Sequence, residues 1–209
     1  LGLPDYYDYD GSVGPDGGVG GRDQMDGNWG DHNCFSKFVL NWITPTVFAS
    51  GAAHTETLRP SSAAGEALIV MPNVSGSAFQ EYFMVQSRNR QGNDSSYPTD
   101  GLLIWHVDAR LDGSGWDYLY DNSYASHKLL RLMEADGLEE IEQNGSADAG
   151  DYYVQGKSFG PSTTPNSRRY DGTATNVAIT SISAYADPMT FTASVGGSVA
   201  IVDSRLTMP

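Results

Sequence analysis

Carboxylates are the groups with most chemistry to offer in this chain. In "DYDGS", Asp8 and Asp10 alternate ahead of a glycine, and Asp16 follows in "PDGG". Hard carboxylate oxygens at such spacing make half of a calcium loop. The closing glutamate of an EF-hand is missing, however. Asx turns, in which Asp side chains bond their own backbone, account for the pattern equally well. A second acidic set comes from two segments, Glu134 and Asp136 in "MEADG" and Asp148 and Asp151 in "SADAGD". A loop could fold both onto one cation, and solvated acidic turns are the plainer alternative. The four histidines, His32, His54, His106 and His127, include no i, i+4 pair, and HExxH occurs nowhere. Two zinc ligands on one helix face are therefore absent. His106 is expected to be a structural histidine bonded to a neighbour, and His127, which lies near several acids, likewise. The lone Cys34 permits no intrachain disulfide and no multi-cysteine zinc site, and is expected to be buried. No Gly-x-Ser-x-Gly elbow is present to make a serine hydrolase.

The whole composition constrains what these residues can serve. Twelve Lys plus Arg against 26 Asp plus Glu give a net charge of −14. Nucleic-acid binding needs a basic face and is not expected. No apolar run approaches the ~20 residues of a membrane-spanning helix. No signal peptide stands at the start, which means little for a mature product or a fragment. A chain rich in Gly, Tyr, Ser, Thr and Asp and poor in Lys reads as a secreted, extracellular β-protein.

Several elements must position the acidic groups. Residues 1–31 form a long Gly- and Asp-rich loop, of a length that usually carries function. Phe35, Phe38, Val39 and Trp42 recur at helical spacing, and Thr44-Pro45 is expected to stop that helix. Strands are expected at 66–72, 81–89, 101–108, 176–184 and 189–195. The stretch 128–135 is ambiguous between strand and helix, because Leu, Met, Glu and Ala suit both. The fold class that follows is mainly β with a small α part, its strands packed as an antiparallel β-sandwich-like unit.

The order of motifs carries a resemblance. "GLPDYYDYDG", "RDQMDGNWG", "FSKFVLNWITPT", "EYFMVQSRNRQG", "GLLIWHVD", "HKLLRLMEADG", "DAGDYY" and "PNSRRYDG" resemble, in sequence order, the immune inhibitor A-like family of secreted zinc metallopeptidases, which are metzincin-like. The match reaches to about residue 195. "LGLPD" looks like the exit from an extended HExxHxxGxxH signature in its Asp-ended variant. By that resemblance Gly2 ends the zinc helix, Asp5 is the third zinc ligand, and Met25 is the apolar floor of a Met-turn. The departure is the missing HExxH helix, which takes with it two zinc ligands and the glutamate base.

The resemblance divides the chain into three parts. Residues 1–48 are the end of a metallopeptidase catalytic subdomain, 49–195 a β-rich subdomain, and 196–209 a strand or tail. The function implied is the C-terminal portion of a secreted zinc-dependent endopeptidase acting on protein or peptide. The chain alone is expected to be inactive. The alternative is a non-catalytic, calcium-binding β-sandwich module that binds protein or carbohydrate through Trp116, Tyr118, Tyr120 and Tyr124. An inactive homologue that kept the scaffold is a third reading.

Overall fold

The computed structural model describes residues 2–12, 18–27, 29–74, 76–123, 126–143 and 145–196. Asp16, Tyr124 and all but the first residue of the expected 196–209 tail lie outside them. The runs "YFMV" and "LLIW" are continuously apolar, which calls for cover on both faces. They lie in β4 (Glu81–Arg88) and β5 (Gly101–Asp108), each buried along its whole length. The two pair antiparallel, from Glu81 opposite Asp108 to Arg88 opposite Gly101. Around them a five-stranded sheet is completed by β1 (Thr46–Phe48), β3 (Leu68–Val70) and β6 (Leu130–Leu132), in the order β1-β3-β4-β5-β6. The ambiguous stretch 128–135 therefore resolves as a short strand.

One pairing departs from the expected antiparallel arrangement. β1 runs parallel to β3, from Thr46 opposite Leu68 to Phe48 opposite Val70. A smaller antiparallel sheet has the order β2-β8-β7, from β2 (Gly51–Leu58), β7 (Val177–Thr180) and β8 (Met189–Val195). In β8 buried residues alternate with half-buried ones, as "MTFTASV" dictates. β2 has four consecutive exposed positions at residues 52–55. The protein is thus mainly β, with two sheets and short helices.

The helix over the "CFSKFV" stretch, α2 (Cys34–Val39), starts at the Asn33 cap, whose side chain accepts from the Ser36 N–H. It ends earlier than Pro45. Asn41 takes a left-handed φ of 58°, its N–H reaches the Phe38 carbonyl, and Trp42 N–H reaches the Lys37 carbonyl. That pair of bonds is a Schellman stop, so Trp42 leaves the helical face and is 62% exposed. A single turn, α1 (Gln24–Gly27), precedes it. One apolar cluster runs from Tyr6, Val19, Phe35 and Phe38 through Trp105 to Phe191 and Val195. The first loop, α2 and both sheets share it.

Candidate cation site and the Asp5–Met25 face

Glu134 leaves the end of β6 and is buried. The next residues turn sharply: Gly137 N–H bonds the Glu134 carbonyl, and Leu138 N–H bonds Asp136 Oδ1. The turn returns Glu140, whose N–H donates to Glu134 Oε2 at 2.8 Å. A second segment arrives beside it because Tyr153 pairs with Leu102 of β5 and Ala135 N–H reaches the Asp151 carbonyl. Asp151 is also buried, and its Oδ2 accepts from Asp148 N–H at 2.6 Å. The result is four carboxylates, Glu134, Asp136, Glu140 and Asp151, offering oxygens that all lie within 4.8 Å of one another.

Three oxygens here have no hydrogen-bond partner though buried: Glu134 Oε1, Glu140 Oε2 and Asp151 Oδ1. Among the described residues no Lys or Arg forms an ion pair with any of the four carboxylates. Two ionised carboxylates at such separation repel by about 3 kcal/mol at an effective dielectric of ~20. Burial, reinforced by the Asp151 charge, accordingly pushes the Glu134 carboxyl up to about 8. Burial likewise pushes Asp151 up to about 6. Protons, hydrogen-bond donors or a cation would relieve such a group, and its donor set is one that could hold a metal ion. Gly150 makes room for it. A Cβ there would stand 2.3 Å from Asp136 Oδ2 and 3.0 Å from Asp148 Oδ1.

The structure brings Glu134, Asp136 and Asp151 together, where the sequence made solvated acidic turns the plainer alternative. Asp148 stands outside the group and accepts from Gly150 N–H instead. Glu140 was not anticipated, although its place at the end of the "ADGLEE" turn is the signal. Asp8 and Asp10 make successive Asx turns, accepting from Asp10 N–H and Ser12 N–H respectively, on an exposed loop.

The Asp5–Met25 face is built on Tyr6. Its side chain is fully buried and its hydroxyl meets Ser36 Oγ at 3.1 Å. Its N–H donates to the Met25 carbonyl at 3.0 Å, so the residue after Asp5 sits on the Met25 turn. Asp23 braces that turn, and nothing in the sequence singled it out. Its fully buried carboxylate accepts from Met25 N–H at 2.7 Å, Asn33 N–H at 2.6 Å and Ser36 Oγ at 3.1 Å. Met25 itself packs, half-buried, on the core. Asp5 is exposed, and among the described residues it belongs to no group of three or more metal-competent side chains. A lone carboxylate does not fit a catalytic zinc, which takes three protein ligands.

Each histidine lies beside an acid. His106 Nε2 lies 2.9 Å from Glu81 Oε1 and His127 Nε2 lies 2.8 Å from Asp108 Oδ2. Burial holds the His106 imidazole below its ordinary value. The Tyr170 ring is sandwiched between the two imidazoles, with centroids 4.1 and 4.0 Å away. His32 faces Asp23 and His54 faces Glu56. Cys34 is buried and unpaired. Of the aromatic set, Trp116 is 84% exposed, Tyr118 turns in against Phe35, and Tyr120 stacks on His127. No helix among the described residues is long and apolar enough to cross a membrane. No protein-family model matches the chain, and no curated protein and no solved structure matches it.

Proposed function

We propose that this chain is the C-terminal part of a secreted zinc-dependent endopeptidase, in which Asp5 gives the metal its carboxylate ligand and the β-rich body holds that ligand in place. The observation that carries the reading is the hydrogen bond from Tyr6 N–H to the Met25 carbonyl. It joins two motifs twenty residues apart that the resemblance requires to be adjacent, the Asp-ended exit loop and the Met-turn. Asp5 offers one ligand only, and among the described residues it belongs to no larger group of metal-competent side chains. The chain by itself is therefore proposed to be without peptidase activity, and its part is to position: Tyr6 and Asp23 fix the loop, and Met25 supplies apolar support. The coding sequence upstream of Leu1 tests this. An HExxH ending three residues before Gly2 supports the reading, and its absence there defeats it.

The acidic group favours a second, calcium-binding role, compatible with the first or standing alone as a non-catalytic module for protein or carbohydrate. All four donors are oxygens, the hard ligands calcium prefers. Calcium at about 100 times its dissociation constant would add about 2.7 kcal/mol to folding stability. For a domain of this size that is a rise of roughly 5–10 °C in melting temperature. Thermal unfolding with calcium and with a chelator measures it, and identical curves would remove the proposal.

A further inference from the structure

The chain carries 26 acids against 12 Lys plus Arg, yet three of those cations, Arg131, Arg168 and Arg169, line a single cavity of about 210 Å³ beside His106. Arg131 comes from β6 and the other two from the "PNSRRYDG" loop that crosses this face of the sheet. Arg169 is held by Glu81 Oε2 at 3.2 Å. Arg168 is exposed and donates to the Gly172 carbonyl at 3.0 Å, with no carboxylate among the described residues in ion-pair range. The one acid in the lining is Glu139, whose Oε1 lies 2.9 Å from Arg131 Nη2. Arg131 Nε also lies 3.2 Å from Glu142.

Glu139 reaches Arg131 from an unfavourable backbone. Its φ is 55°, a left-handed conformation that a glutamate adopts only when its surroundings impose it. Its neighbour Glu140 belongs to the acidic group, whereas Glu139 puts its carboxylate against Arg131. We infer that this cavity is a carboxylate-binding site, with the chain's own Glu139 held against Arg131 at its wall. Guanidinium groups recognise carboxylates in a forked, directional manner, and Met133 and Tyr170 in the same lining give the ligand's apolar part a surface. The cavity has the volume of about seven waters at ~30 Å³ each, enough for a chain-terminal residue or an acidic side chain.

Titration calorimetry with three acetylated dipeptides tests this. The first is acetyl-Ala-Ala with a free terminal carboxylate. The second, acetyl-Ala-Asp-amide, has only a side-chain carboxylate, and the third, acetyl-Ala-Ala-amide, has none. One or both of the first two should bind, and which of them binds identifies the source of the carboxylate; the amide should not bind. Glu139→Gln removes the competing group and should tighten binding about tenfold, and Arg168→Ala should weaken it by a similar factor. Glu139→Gly, which suits the left-handed backbone, is the second opened variant should the glutamine form fold poorly. Binding of neither carboxylate peptide to the opened variants overturns the inference. So does equal binding of the amide, or an affinity indifferent to Arg168→Ala.

Discussion

Glu134 and Asp151 show most directly how burial of like charges shapes this protein. Their folded carboxyls are raised to about 8 and about 6. Between the ordinary carboxylate range and about 8, the folded chain therefore holds more protons than the unfolded one. Its metal-free stability should fall as pH rises through that window. Chelator-treated protein melted at pH 5 and pH 8 should lose melting temperature at the higher pH, and saturating calcium should shrink that loss. Gly150→Ala should weaken calcium binding by at least tenfold, read by calorimetry, because its Cβ would overlap Asp136 Oδ2. The sequence offered the meeting of the two acidic segments only as the alternative to solvated turns. Which carboxylate each turn delivers was not legible. Spacing does not reveal that Asp148 caps Gly150 N–H while Glu140 closes the group. Asp23 was hidden for a similar reason: its role as a buried brace depends on donors brought from Met25, Asn33 and Ser36.

At the scale of elements, hydrophobic pattern served where a strand is covered and failed where it is open. β5 and β8 fall on the expected residues because their burial is continuous or alternating. β2 was missed because its exposed stretch carries no apolar alternation. Its order comes from pairing with β8, from His54 opposite Ala193 to Leu58 opposite Met189. The end of α2 was misjudged because asparagine tolerates the left-handed cap and stops the helix before any proline is needed. The join between the first loop and the β4 strand rests on a buried ion pair, Arg88 with Asp94, at 2.6 and 2.7 Å. Arg88 also donates to the Asp31 carbonyl at 3.0 Å. Asp94→Ala would strand a fully buried guanidinium and should cost about 3–5 kcal/mol. Chemical denaturation measures it, and a loss under 1 kcal/mol would show that the pair does not anchor the loop.

Across the whole molecule, the acidic group and the Asp5 face are linked through one short segment. Ala147, four residues before Asp151, donates its N–H to the Gly20 carbonyl at 3.0 Å. Its own carbonyl accepts from Arg22. Gly20 is needed for that approach, since a Cβ there would lie 2.5 Å from Ala147 N. From Arg22 the chain passes through Asp23 and Met25 to the hydrogen bond with Tyr6, next to Asp5. Hydrogen bonds thus run from the 145–151 loop to the residue beside Asp5. The central claim remains that Asp5 serves a zinc ion. It is tested by expressing the chain with its natural upstream segment and measuring zinc content and hydrolysis of a protein substrate in the wild type and in Asp5→Ala. The account predicts about one zinc per wild-type molecule, with metal retention and activity both falling at least a hundredfold in the variant. Undiminished zinc and activity in Asp5→Ala would contradict it.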